Sequence, residues 1–325
     1  MAVPLNSYDD FYRSCRLCRR DCGTNRLAGG QGVCGETSRL RLAVAGLHFG
    51  EEPPLVGGGG SGTLFVSGCA MKCPFCQNHQ ISRGGMGSEV DGGEFRDICF
   101  RLADAGAVNI NLVTPSHHAP VLTRYLRDAR REGLDLPVAW NSSGYESVEA
   151  LSLASEAVDI WLPDLKTLDD DVARNVYGCP GYPASALEAL QFMAGCGGSE
   201  TNEAGVMTRG LMVRHLVLPD HLESTRHVLE WFASEMSGRA RLSLMTQYTP
   251  VCVPGENRPI PGRQLDEIEY EIVLGWLDEL GIEDGFVQEL VPGSEWLPDF
   301  RRPNPFSSHL SRILWPQEQS AASGH

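Results

Sequence analysis

No stretch of this 325-residue chain approaches the roughly 20 consecutive apolar residues that a membrane-spanning helix requires. The segment Met1 to Asp10 has neither a basic start nor an apolar core, so no export signal is expected there and a cytoplasmic location follows as the expectation. Positive charge is scarce: 27 Lys and Arg face 42 Asp and Glu, a net charge of −15, which argues against a nucleic-acid partner. The glycine run over 57–62 is not followed by Gly-Lys-Ser or Gly-Lys-Thr, which removes a phosphate-binding loop and leaves a mobile connection. No internal repeat is visible beyond an alternation of strands and helices. A hydrophobic content of 42% is ample for one large domain with an appendage.

Cysteine, by contrast, is plentiful. Eleven cysteines without an export signal are expected to be reduced thiols, and their grouping points to metal. Cys69, Cys73 and Cys76 fall within eight residues, directly after the apolar run Thr63-Leu64-Phe65-Val66. Three thiolates on a short loop can hold three irons of a [4Fe-4S] cube and leave the fourth open to a small molecule. Zinc would need a fourth ligand, from His79 or an upstream cysteine, and an inert electron-carrying cluster is a further alternative. A second group, Cys15, Cys18, Cys22 and Cys34, lies among Arg16, Arg19, Arg20 and Arg26. Four converging thiolates would form a closed site, zinc or a second iron–sulfur cluster, and a metal would hold a segment too short to build its own core. Four free thiols in a poorly ordered arm is the alternative.

The order of elements can be read from periodicity. Phe95, Ile98, Cys99 and Leu102 sit at helical spacing. Strands are expected at 40–47, 63–66, 108–113, 138–141, 158–162, 211–218 and 242–246, with one more at 285–290. Helices are expected at 147–155, 169–177, 184–194, 221–236 and 263–280. Strand–helix alternation with short connections implies parallel strands wound right-handedly. The fold class expected is therefore α/β: a partial (β/α)6 TIM-like barrel over 39–291, a cysteine-rich metal-binding module over 1–38, and an irregular C-terminal tail over 292–325. In such barrels the chemistry gathers at the C-terminal ends of the strands. The polar stretches fall there: the cysteine loop, Thr114 to His118, Asn141 to Ser143, Asp164 to Lys166, and Gln247-Tyr248.

The three-then-two spacing of Cys69, Cys73 and Cys76, with Phe75 before the third cysteine, resembles the radical S-adenosylmethionine (SAM) superfamily. Cys76-Gln77-Asn78 with Ile81-Ser82, and Asp164-Leu165-Lys166, look like the activating enzymes of glycyl-radical proteins. Together with Asn109 to Pro115, Asn141 to Ser147, Arg214 to Pro219 and Gln247 to Pro250, they resemble the branch called pyruvate formate-lyase activating enzyme-like. That resemblance implies a metal-binding iron–sulfur oxidoreductase. It would reductively cleave SAM to a 5′-deoxyadenosyl radical and abstract hydrogen from a substrate, for which a glycine of a partner protein is the leading expectation. A small molecule or peptide substrate, and a noncatalytic iron–sulfur or zinc protein, are the alternatives. A one-electron donor such as flavodoxin or ferredoxin is implied as partner.

The Gly-Gly-Glu stretch that commonly holds the SAM amine in that family is absent after the second strand of the barrel, where Val113-Thr114-Pro115-Ser116-His117-His118 stands. Gly92-Gly93-Glu94 has the letters but precedes a helix, and reads as a decoy. The Thr114 hydroxyl is the expected substitute. Phe75 is expected against adenine. Asn141, Ser142 and Ser143 are expected at the ribose or carboxylate, with helix capping as the plainer alternative. Asp164 and Lys166 are expected at the cofactor, or as a simple ion pair. Adjacent strand residues face opposite ways, so only one of Arg214 and His215 points into the barrel. His215 is the one expected inside, with a packed core histidine as the alternative. Gln247 and Tyr248 are read as lining the substrate side. Cys99, Cys179, Cys196 and Cys252 belong to no motif.

Overall fold

The computed structural model describes residues 8–290, 293–294 and 296–316. The strands are β1 (Arg41–His48), β2 (Ser61–Val66), β3 (Ser88–Glu89), β4 (Ile110–Val113), β5 (Val138–Ser142), β6 (Ile160–Pro163), β7 (Glu200–Thr201), β8 (Met207–Leu216), β9 (Arg241–Met245), β10 (Gly285–Val287) and β11 (Ser311–Trp315). The helices are α1 (Asp10–Arg13), α2 (Pro53–Val56), α3 (His79–Ser82), α4 (Gly92–Asp104), α5 (Ala119–Arg131), α6 (Val148–Ala154), α7 (Asp170–Asn175), α8 (Tyr182–Ala194), α9 (Leu222–Glu235) and α10 (Glu267–Glu279).

One sheet runs in the order β10-β9-β8-β6-β5-β4-β2-β1-β11. From β2 to β10 the neighbours are parallel, and β1 and β11 extend the sheet antiparallel. The path does not close among the described residues, so this is an open, partial TIM-like barrel. The expected parallel run of six strands is present and β10 makes a seventh.

Alternation along the strands separates two faces. Trp140, Trp161, Leu211, Val213, Leu242 and Leu244 pack outward into the main core with the helices. Ala139, Ile160, Leu162 and Met212 face inward, where Leu55 of α2 and Phe286 join them. α4 shows why the helices form where periodicity put them. Phe95, Ile98, Cys99 and Leu102 are its buried stripe, and Asp91 caps it by accepting from the Glu94 N–H.

The tail departs from its expected irregularity. Ser311–Trp315 pairs antiparallel with β1. Phe300 and Phe306 pack against Phe65, at ring separations of 5.8 and 5.1 Å. The expectation for the tail is irregular chain, but Phe300 and Phe306 find a hydrophobic face at Phe65. The last part of that tail, 317–325, lies outside the described residues.

The inside of the barrel holds a buried charge cluster that periodicity does not reveal. Arg214 of β8 points inward and binds Glu52 Oε1 at 2.9 Å and Glu51 Oε2 at 2.5 Å. Glu52 also accepts from Ser243 at 2.5 Å. Burial alone would push the Glu52 carboxyl up, but Arg214 outweighs it and holds it down. His215, expected inside, instead faces the helix layer. Its Nδ1 meets Leu165 O at 2.7 Å and its Nε2 meets Thr225 Oγ1 at 3.0 Å. A neutral imidazole satisfied at both nitrogens fits the apolar layer, whereas a guanidinium needs the carboxylates inside. Arg214→Met would leave Glu51 and Glu52 uncompensated and should cost about 3–5 kcal/mol. A lowered denaturation midpoint, partly recovered by adding Glu51→Gln and Glu52→Gln, is the expected result.

Candidate metal centre

The cysteine loop follows β2 directly. Gly68 turns the chain at φ +81°, where a Cβ would come within 2.9 Å of Cys34 O and 3.1 Å of His117 Nε2. Both the left-handed backbone and the crowding call for glycine. Cys69, Cys73 and Cys76 are half-buried along the loop. Burial pushes up the Cys69 and Cys73 thiols, and the field of Cys76 adds to both. Lys166 partly opposes this at Cys73. Bound metal would deprotonate such thiols outright. Cys76 Sγ lies 3.3 Å from Ser82 Oγ. Among the described residues no three His, Cys, Asp or Glu side chains are grouped closely enough to grip a single ion. Three thiols on one loop fit three irons of a cube, whereas zinc would want a fourth ligand.

Around the loop the fold assembles residues from distant segments. Lys166 Nζ binds Asp164 Oδ2 at 2.8 Å, so the two form an ion pair at the end of β6. Burial alone would lower the Lys166 ammonium, but Asp164 and then Cys73 raise it well above its usual value. Its cation lies 6.0 Å from the Tyr177 ring centre. Phe75 is buried edge-to-face between Tyr177 and Tyr248, each 5.3 Å away. Gln77 donates to Gln247 O at 3.2 Å, tying the loop to the end of β9.

Thr114 has φ +61°, a genuine outlier for a β-branched residue that costs about 1–3 kcal/mol. Its N–H donates to Asn141 O at 2.8 Å, which brings these two expected residues together. Asn141 is on the inward face with Ala139. Ser142 Oγ instead accepts from the Gly144 N–H at 3.4 Å, and Ser143 O accepts from Tyr182 at 2.9 Å. Those two serve the turn. Glu94 of the decoy accepts from the Trp315 indole at 2.8 Å. His117 and His118 are buried, His117 Nε2 lying 2.7 Å from Ser67 O. Burial and then Arg26 push His117 down to about 3.

Several residues here were not singled out individually in the sequence. Asn111 is fully buried on the inward face, with both amide atoms lacking a protein partner. The buried Tyr177 hydroxyl also lacks one. Cys179 reaches the same loop: its thiol donates to Met71 O at 3.5 Å and accepts from Arg20 at 2.8 Å. Arg20 also donates to Ala70 O at 2.9 Å and Met71 O at 3.1 Å. The arginines around the upstream cysteines were visible, but not their target.

A family model described as "4Fe-4S single cluster domain" matches residues 55–162. An uncharacterized protein of Methanocaldococcus jannaschii is 27% identical over 248 residues, covering 74% of this chain and 68% of that one. The solved structure of HydG, a maturase of the [FeFe]-hydrogenase, superposes with a TM-score of 0.50 at 11% identity, over 74% of this chain and 53% of that one. Streptococcus suis SuiB bound to S-adenosylmethionine gives a TM-score of 0.48 at 12% identity, over 68% of this chain and 48% of that one. The chain thus spans about half the length of these two structures. The family match supports the expected [4Fe-4S] cofactor and agrees with the radical SAM spacing of the cysteines.

The buried histidine of β8 makes stability acid-sensitive. Burial holds His215 down to about 4, against 6.5 for an ordinary histidine. The unfolded chain therefore binds the proton first as pH falls. This contribution is complete above pH 6.5 and is lost on descending from 6.5 towards 4, at up to about 1.4 kcal/mol per pH unit. Denaturation midpoints of His215→Asn should fall less steeply across that window than those of the parent.

Proposed function

We propose that this chain is a radical SAM enzyme that acts through a [4Fe-4S] cluster on Cys69, Cys73 and Cys76. The observation that carries the reading is three thiols on one loop at the C-terminal mouth of parallel strands. When bound, the cluster supplies one electron to the SAM sulfonium, releasing methionine and a 5′-deoxyadenosyl radical that takes hydrogen from the substrate.

The chain's own residues would orient the cofactor and keep water out. Thr114 and Asn141, held together by a backbone hydrogen bond, would receive the amino-acid end of SAM. The inward amide of Asn111 is unspent and available to the cofactor or substrate. Lys166 would carry a carboxylate or balance cluster charge, with Asp164 fixing its direction. Phe75, Tyr177 and Tyr248 form an aromatic cluster that would exclude water beside the cofactor, with Phe75 against adenine. The substrate proposed is a backbone glycine of a partner protein, on the likeness of Cys76-Gln77-Asn78 and Asp164-Leu165-Lys166 to activating enzymes. Flavodoxin or ferredoxin would supply the electron.

Anaerobic reconstitution with iron and sulfide, followed by SAM and dithionite, should yield 5′-deoxyadenosine. Cys73→Ala should abolish the product while leaving the denaturation midpoint of the barrel in place. A filled cluster that makes no 5′-deoxyadenosine would leave a noncatalytic iron–sulfur role. Formation of 5′-deoxyadenosine with no radical on an added glycyl-radical protein would favour a small molecule or peptide instead.

The Thr114 assignment has its own test. A neutral hydrogen bond contributes about 0.5–1.5 kcal/mol and a charge-assisted one about 1.5–3. Relative to a carboxylate, Thr114 would therefore hold the amine up to about tenfold less tightly, at about 1.4 kcal/mol per decade. Thr114→Val should weaken equilibrium SAM binding to the reconstituted, unreduced protein, and Glu94→Gln should not. The reverse pattern would move the amine site to the start of α4.

A further inference from the structure

The upstream cysteines surround a feature that the radical chemistry does not use. Arg26 has no solvent exposure at all, yet no carboxylate hydrogen-bonds it among the described residues. Its guanidinium donates to Glu36 O at 3.1 Å, to Thr37 O at 2.6 Å, to His117 O at 2.5 Å and to Cys15 Sγ at 3.6 Å. It lies 4.8 Å from the centre of the Tyr12 ring. The nearby Glu36 carboxylate is engaged by Arg41 at 3.1 Å. A cation buried among carbonyls and a cysteine sulfur is costly, because dipoles replace only part of its hydration. Negative charge is the missing component, and the thiols are the groups placed to provide it.

Their setting supports this. Cys15, Cys18 and Cys34 are buried and Cys22 is half-buried, in a segment whose regular structure amounts to one turn of helix. Gly32 lies between two of them: a Cβ there would come within 3.3 Å of Cys34 Sγ and 3.5 Å of Cys22 Sγ. Cys22 in turn lies against Cys15, its Sγ 3.9 Å from Cys15 O. Four cysteines of one segment supply the complete thiolate set of a [4Fe-4S] cube. Four thiolates on a cube of double positive charge leave two negative charges, which meets the demand of Arg26.

We infer that Cys15, Cys18, Cys22 and Cys34 hold a second iron–sulfur cluster, with Arg26 as its buried counter-cation. The module that carries it is tied to the first cysteine loop, since the Cys69 N–H donates to Cys34 O at 3.2 Å.

The test uses the full chain carrying Cys69→Ala, Cys73→Ala and Cys76→Ala together, reconstituted anaerobically. It lacks the first cluster, so its outcome is independent of the radical SAM reading. Iron, sulfide and zinc are assayed, and the dithionite-reduced protein is examined by electron paramagnetic resonance. About four irons with matching sulfide and a cluster signal are expected, and adding Cys22→Ser should remove them. A protein that binds no iron, or one equivalent of zinc instead, overturns the inference. Should the triple variant fail to fold, Cys22→Ser in the otherwise native chain should lower the iron content by about half, and unchanged iron would overturn the inference. Arg26→Met should move the midpoint potential of the remaining cluster in the triple variant to lower values, because reduction adds negative charge where a cation has been removed. An unchanged potential would sink the counter-cation role.

Discussion

A buried loop cannot satisfy its own backbone, and the structure around the three cysteines answers that constraint. Residues 67–76 form neither helix nor strand beyond Val66, so their carbonyls and amides must find partners elsewhere. They do so across the chain. Arg20 takes the carbonyls of Ala70 and Met71, Arg83 takes that of Lys72, and Cys179 shares that of Met71. Cys34 O accepts from the Cys69 amide, Ile81 O accepts from the Gly68 amide, and His117 lies against Ser67 O. The loop is held by six residues at once, which is what a site needing fixed thiolate geometry requires.

This explains why the cysteine-rich module belongs to the same unit as the barrel. Besides Arg20, it adds backbone hydrogen bonds from Arg19 to Tyr145 O and from Ser147 to Leu17 O. The module thus closes over the loops that follow β2 and β5. The tail makes a corresponding contribution elsewhere, where Gln80 of α3 binds Asp299 and the Phe300 amide. An extended strand and an aromatic cluster there cover a face that the open sheet would otherwise expose.

The inside of the barrel shows how charge rather than hydrophobicity chose an orientation. Arg214 and His215 are equally polar as letters. The segment Glu51-Glu52-Pro53-Pro54, which enters the barrel ahead of Leu55, supplies two carboxylates there, and only the guanidinium can neutralise them. The histidine is left to the helix side, where Leu165 and Thr225 satisfy it.

Much of this was legible in one dimension because it depends on local period and spacing. The strand and helix order, the stripe of α4, the placement of polar stretches at strand ends and the three-cysteine loop all follow from residues close in sequence. That Thr114 lies just past β4 and Asn141 near the end of β5 was legible for the same reason. What the tertiary structure alone decided involves partners separated by many residues: Arg20 with Cys179, Arg26 with His117, Glu52 with Arg214, and Trp315 with Glu94. Such pairs leave no periodic trace. Which buried charge meets which acceptor is settled only when the strands are stacked in order, because the cost of an unpaired buried group selects the partner that the fold brings within reach.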